Sequence, residues 1–515
     1  MNPLDEHGYP ADGYKWSALV TVMVGLFMAV LDSNIVNVAL SHMMSTFSTN
    51  TDRIRWVVES YAISYAIFTL CTGWLREKIG IKYTYITGLV IFTVASGLCG
   101  MAWSVEAMIA FRVLQGLGGG LMMPTGFTLI TESFPPKERG AAYGIFGLVI
   151  VFAPSVGPTL GGYLVDHVNW RFVFSINIPV GILNFFMAMG ILKEFKKLAP
   201  RPFDFFGFAG LAMFLGCLLT AFTEGQREGW TSDYILSMFA ISAIGLVSFI
   251  SFATRAKYPI LNINLFKNFY FNMLSILNVL RSVAIFGRVF LLPLFFQNLL
   301  GYSAMTSGLL LSPGALIAGA IMPVAGKLVD KYGPKYFLIV GFVLFALSNL
   351  LYFNLDVATP YTTILIPMFF YGVGAGLLNA PITASSMNVV RRDQIGDVSV
   401  VLSVLMQVGG AFGVALLGTL TNSRAAFHQA VYAEKVTTFG LNTQSALDSI
   451  GNLGRRIGES QFLYTQQAPV ILNSQISKWA AIRGYQDAFV ITGLICLIAL
   501  IPTFALMKMK FHHMQ

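Results

Sequence analysis

The chain has 515 residues, 56% of them hydrophobic and only 11% charged, with a formal net charge of +9. A soluble domain carries about 25% charged residues, so this composition excludes a single water-soluble globule. The apolar residues come in long blocks, many close to the roughly 18–20 residues that cross about 30 Å of hydrocarbon.

Taken in chain order, the blocks predict fourteen spans, at 17–40, 54–75, 83–103, 105–130, 141–165, 172–192, 205–224, 233–253, 270–298, 304–326, 336–355, 361–386, 398–421 and 487–508. An even number places both termini on one side. Lys and Arg choose the side: twenty fall on the N-terminal face, from Lys15 through Arg76, Lys137, Lys193, Arg255, Lys327 and Arg391 to Lys510, against Arg53, Arg55, Arg171 and Arg227 opposite. Both termini are therefore expected in the cytoplasm. The basic excess is this asymmetry of short loops, so nucleic acid is not an expected partner. The N-terminal MNPLDEHGYPADGYKW is acidic and leads into a full-length span, unlike a cleaved signal peptide. Cys71, Cys99, Cys217 and Cys496 lie in apolar stretches without metal-ligand spacing, and no metal site is expected.

The chain repeats itself. GWLREKIGIK at 73–82 returns as GKLVDKYGPK at 326–335, and QGLGGGLMMP at 115–124 as YGVGAGLLNAP at 371–381. The halves so related share one orientation, and the spans at 205–253 lie between them.

Four further stretches carry a resemblance. LDSNIVNVAL at 31–40 matches an LDxTIVNVALP signature with Ser33 for Thr and Ser41 for Pro. Gly73–Lys82 matches a GxLaDrxGrk loop, with Glu77 for Asp and Ile81 for a basic residue; the second copy keeps Gly326, Asp330 and Gly333. Arg112-Val-Leu-Gln115-Gly116 matches RxxQG, and Ala153 to Gly162 matches GxxxGPxxGG with Ala153 for the first Gly. WRFVFSINIPVG at 170–181 and LPLFFQNLLGYSAMTSG at 292–308 add similar text. Over nearly its whole length the chain resembles the major facilitator superfamily, in its fourteen-span drug:proton antiporter branch, the EmrB/QacA family.

That resemblance implies an all-α polytopic membrane protein of two six-helix bundles plus two extra helices. The bundles fall at 1–200 and 257–515, the extra helices at 201–256, and a long extracytoplasmic loop at 422–486. It implies proton-coupled efflux of amphipathic small molecules, including multidrug resistance, across a bacterial inner membrane. The alternative on the same fold is a metabolite, fatty-acid or organic-anion exporter or symporter. No Walker A motif is present, so neither an enzyme nor an ATP-driven pump is expected, and a proton gradient stands where a cofactor would. The 422–486 loop resembles permease subunits of tripartite systems. Whether the exporter works alone or with a periplasmic adaptor and outer-membrane channel stays open.

The physical roles follow from residue type. Glycines Gly73, Gly80, Gly326 and Gly333 let helix ends approach, while Glu77 and Asp330 can latch one conformation. Gly157, Gly161 and Gly162 allow tight helix contact, and Pro154 and Pro158 bend span five. Asp32 and Glu59 are the two carboxylates clearly inside spans. At a 1.5 Å rise they lie ~12 and ~8 Å from the outer membrane edge, with Arg112 at ~10 Å. The simplest switch pairs Asp32 or Glu59 with Arg112 and releases the arginine on protonation. Glu59 could instead meet a cationic drug, and Gln115 is a second candidate for substrate contact. In span nine Arg281 and Arg288, seven residues apart, share a face near Asn278. They either greet an anionic substrate or pair with Asp32 or Glu59 across the halves.

Overall fold

The computed structural model describes residues 12–195, 201–355, 359–436, 444, 445, 447, 449 and 461–506, and among them every regular element is helical. Fourteen long helices stand where fourteen spans are predicted. They are α1 Asp12–Phe47, α2 Thr51–Thr69, α3 Ile81–Gly100, α4 Val105–Ser133, α5 Arg139–His167, α6 Asn177–Ile191 and α7 Phe205–Glu228. The series continues with α8 Asp233–Ala253, α9 Phe269–Leu294, α10 Ala304–Tyr332, α11 Lys335–Leu350, α12 Tyr361–Asn388, α13 Ile395–Lys435 and α14 Gln461–Ile498.

Thirteen helices among the described residues are long and apolar enough to cross a membrane; α2 is the exception. Asp52, Arg53, Arg55 and Glu59 dilute it. It is shielded by α4, α7 and α1, which pack around Ile54, Val57, Tyr61 and Ser64. Protein therefore meets Glu59 and part of Arg55, while Asp52 and Arg53 stay exposed in the first turn.

Polar caps start the helices where the sequence leaves the apolar runs. Asn50 accepts from Arg53 N at 3.0 Å, Ser104 from Ala107 N at 3.1 Å and Ser303 from Thr306 N at 3.1 Å, satisfying first-turn donors. Gly80 ends the short helix Thr72–Ile79 and Gly333 ends α10, at φ 96° and 80°, a conformation that a side chain resists. Small residues set the spacing between helices. A Cβ at Gly118 would meet the backbone of Gly88 and Phe92, and one at Gly374 that of Gly341 and Phe345.

Burial separates centre from rim. In the most apolar stretch of α4, 83% is buried, against 22% in α8. The inserted α7 and α8 pack on each other through Gly210 and Gly245, and α7 leans on α2 and α13. Trp230, in the turn between them, donates to Thr419 Oγ1 at 2.9 Å. Large apolar side chains such as Phe186, Val247, Leu316 and Ile501 remain exposed, as a lipid-facing surface requires.

The long loop expected at 422–486 is corrected at both ends. Helix α13 continues to Lys435 and α14 already runs at Gln461. Hydropathy marks where an apolar run stops, whereas helix 422–435 continues because it contains no Gly or Pro and finds a partner. Asp487 takes Arg424 at 2.5 Å and His428 at 2.9 Å, and Gln429 donates to Ser477 at 3.1 Å. The middle of that segment, 437–443 and 450–460, lies outside the described residues, as do 1–11, 196–200 and 507–515 and thus both termini.

Candidate transport site

Asp32 of α1, Arg112 and Gln115 of α4 and Asn177 of α6 meet in the centre of the first half. Asp32, Arg112 and Gln115 are fully buried. Arg112 Nη1 lies 2.5 Å from Asp32 Oδ2 and donates to Gln115 Oε1 at 2.7 Å, while its Nε donates to the Val57 carbonyl at 2.9 Å. Gln115 Nε2 and Asn177 Nδ2 donate to Asp32 Oδ1 at 3.0 and 2.7 Å. Asn177 also donates to Ser96 Oγ at 3.0 Å. The guanidinium stacks 4.2 Å from the Tyr61 ring centre, and its Nη2 has no hydrogen-bond partner. The carboxylate is thus held by three donor groups, one of them charged, in a dry setting where adding or removing one proton changes every bond.

Glu59 does not join this cluster. Arg112 reaches α2 at Val57, and two residues further round a helix is about 200° away. Glu59 therefore points to α7, where it faces Glu224. Arg55 lies between them, 3.5 Å from Glu59 Oε1 and 3.8 Å from Glu224 Oε1. Arg227 lies 2.7 Å from Glu224 Oε2. The expected choice of Asp32 or Glu59 for Arg112 is resolved in favour of Asp32.

Arg281 and Arg288 are buried, as is Asn278. Neither arginine forms an ion pair with Asp32 or Glu59. Arg281 donates to Asn379 Oδ1 and, at 2.7 Å, to Asn278 Oδ1. Arg288 Nη1 donates to Ser348 Oγ at 2.7 Å and Asn349 Oδ1 at 3.3 Å, and Nη2 to the Tyr352 hydroxyl at 3.4 Å. The Nε of both is without a hydrogen-bond partner.

The two loop copies differ in detail. Asp330 accepts from Gly140 N at 2.8 Å and Ala141 N at 2.9 Å, capping α5 across the halves. Glu77 instead pairs with Arg201 at 3.5 Å; burial pushes its carboxyl up, opposed by Arg201 and Arg76. A Cβ at Gly73 would stand 3.8 Å from Asp397 Oδ1, and one at Gly326 would fall on the Gly140 carbonyl. In α5, a Cβ at Gly157 would lie 3.1 Å from Asn34 Cβ and one at Gly161 2.8 Å from Ile35 Cγ1. Gly162 departs from the expected tight contact, since a Cβ there meets nothing within 4 Å. Pro154 is half-buried, and the Pro158 side chain lies outside the described residues.

The family model described as the Major Facilitator Superfamily matches residues 22–414. The chain belongs to this superfamily. It is a membrane transporter and not an enzyme. The multidrug transporter protein MdtP of Bacillus subtilis is 34% identical over 414 residues, covering 80% of this chain and 76% of that one. The fatty acid resistance protein FarB of Neisseria gonorrhoeae is 30% identical over 506 residues, covering 96% and 97%. The crystal structure of the human organic anion transporter MFSD10 shares the fold, at a TM-score of 0.62 and 12% identity over 95% of this chain and 99% of that one.

Several residues of this facilitator's interior escape sequence reading. Glu224 sits at the last position of a predicted span, where a carboxylate reads as solvated. Asn177, Ser96, Asn349, Ser348 and Tyr352 are neutral and common in spans, so only their contacts reveal them. The repeat offers a signal for Asn349 and Tyr352, which fall 253 residues after Ser96 and Cys99 of the first-half cluster.

Proposed function

We propose that this facilitator is a proton-coupled antiporter that exports amphipathic toxic compounds, drugs among them, through a bacterial cytoplasmic membrane. The reading rests on one observation above all: the fully buried Asp32–Arg112 pair with Gln115 and Asn177 around it. Protonating Asp32 removes the counter-charge of Arg112, which then favours whichever packing rehydrates or re-pairs it. Residues 1–200 and 257–515 are the two moving bundles in this scheme, with 201–256 as a helix pair beside them, and both termini are cytoplasmic. Gln115 and Glu59 are offered as substrate contacts. The relation to MdtP supports drug export.

A second reading, export of fatty acids or other organic anions, is supported by the two buried arginines and by the relation to FarB. For either substrate, α13 at 41 residues is about 60 Å long, twice the hydrocarbon thickness. Its projecting end with α14 is the surface proposed for a periplasmic adaptor that leads to an outer-membrane channel.

The test is dye efflux from a pump-deficient strain that expresses the protein, with and without an uncoupler, and dye-driven proton release in everted vesicles. Efflux that collapses with the gradient, and proton movement opposite to dye, are expected. Proton and substrate moving the same way would instead establish a symporter.

A further inference from the structure

Arg288 in the second half meets the counterparts of the residues that Asp32 meets in the first. An offset of 256 residues relates Gln115 to Tyr371 and Arg112 to Met368. The offset of 253 between Gly73 and Gly326 relates Ser96 to Asn349 and Cys99 to Tyr352. The contacts follow this correspondence. In the first half Asp32 binds Arg112 and Gln115, with Ser96 joined through Asn177 and Cys99 on Gln115 at 3.7 Å. In the second half Arg288 touches Met368 Sδ at 3.7 Å, stacks 4.3 Å from the Tyr371 ring centre and donates to Asn349 and Tyr352. Asp32 and Arg288 thus touch matching residues of the two halves and carry opposite charges.

One element is missing from the second copy. The residue that should carry the opposite charge, the counterpart of Arg112, is the thioether Met368. Among the described residues Arg288 has no carboxylate partner, is 1% exposed and leaves Nε without an acceptor. Arg281, two turns away on the same helix, repeats the pattern: buried, bonded to amides only, Nε without an acceptor. A buried cation without a counter-ion is costly and in a transporter marks a ligand path. Ser348, Asn349 and Tyr352 orient the guanidinium, and the faces of Tyr352 and Tyr371 line it with apolar surface.

We infer that Arg288 is the anchor for the anionic group of the substrate, and that the substrates include amphipathic organic acids bound by carboxylate to Arg288 with their apolar body against the tyrosines. The inference rests on the transport reading above and adds substrate class to it. The first half then carries the proton site and the second half the anion site.

The experiment compares wild type, Arg288→Gln and Arg288→Lys with one carboxylated dye and one cationic dye of similar size, in everted vesicles. Thermal-shift titration of the purified proteins with the same dyes, and with sodium chloride, runs beside it. Loss of a charge-assisted hydrogen bond predicts roughly ten-fold or greater loss of acidic-dye affinity and efflux in Arg288→Gln. The cationic dye should change less than about two-fold, and Arg288→Lys should restore part of the acidic-dye binding. Equal loss for both dyes overturns the inference, as does a stabilising shift that chloride produces as well as the acidic dye. A wild type that moves the cationic dye but neither binds nor moves the acidic one also overturns it and leaves proton antiport standing. Acidic-dye export that depends on Arg288 but releases no protons supports the anion site and refutes antiport.

Discussion

At the scale of single residues, the strongest expectations come from buried charge. Asp32→Asn keeps the acceptor for Gln115 or Asn177 but leaves Arg112 without its counter-ion. An amide cannot release a proton, so uphill efflux should vanish while downhill exchange of preloaded dye persists; dye uptake by everted vesicles, with and without a pH gradient, separates the two. Arg112→Ala should be worse for folding, because breaking a buried pair from one side costs about 3–5 kcal/mol. Replacing both partners, Asp32→Ala with Arg112→Ala, should recover membrane-inserted protein without recovering transport. If the double variant is made at lower levels than either single one, the pair does not stand alone energetically. That Arg112 needs an acidic partner was legible in the sequence, because a charge in an apolar run demands one; the choice of Asp32 over Glu59 was not. The direction of Glu59 was not legible, since depth along a helix says nothing of azimuth. Its contact with Glu224 depends on where the inserted α7 packs. Glu224→Gln should therefore disturb Glu59-dependent behaviour: the resistance profiles of Glu59→Gln, Glu224→Gln and the double variant should coincide. Additive losses would show that the two carboxylates act separately.

At the scale of helices, close approach decides which glycines matter. A side chain at Gly326 meets the Gly140 backbone carbonyl, which cannot step aside alone, so α5 and α10 must separate. Overpacking of this kind costs about 1–3 kcal/mol, and Gly326→Val should jam or leak despite normal insertion. Gly157→Val faces the Asn34 side chain at 3.1 Å and should be milder. Gly162→Val should transport like wild type, because space is open there. Dye efflux normalised to surface expression ranks the three; a defect at Gly162 equal to that at Gly326 would dismiss contact distance as the cause. The sequence places Gly157, Gly161 and Gly162 on α5 but not their orientation. Gly161, which is packed on Ile35, and Gly162, which is free, are adjacent, and only the neighbouring helix distinguishes them. Helix existence was legible in thirteen of the long helices because apolar length is a strong signal. The ends of α13 and α14 were not, because a polar helix held by Asp487, Arg424 and His428 has no hydropathy signature.

At the scale of the whole molecule, the face that carries the Gly73 and Gly326 loops is closed between the halves by a set of polar ties. Glu132 meets Arg392 at 3.0 Å, Arg139 donates to Asn388 Oδ1 at 2.7 Å, and Thr128 donates to Ser399 Oγ at 2.9 Å. Asp330 is the one that uses a helix terminus: both its oxygens take backbone donors at the start of α5, where the helix dipole also favours a negative charge. Asn at 330 keeps one acceptor and loses the charge, a change of about 1–2 kcal/mol, or roughly 5- to 30-fold in the balance between closed and open faces. Ser399 is fully buried at this seam and provides the reporter. In a background without the four native cysteines, Ser399→Cys should react slowly with a maleimide. Adding Asp330→Asn should raise the labelling rate by about that same factor. Adding Glu77→Gln should raise it less, because Glu77 is tied to Arg201 and caps no helix of the opposite half. An unchanged rate with Asp330→Asn, in protein that still transports, would mean that the other ties hold the face shut without it. A larger effect from Glu77→Gln would mean that the first-half loop, despite its looser contacts, is the stronger latch.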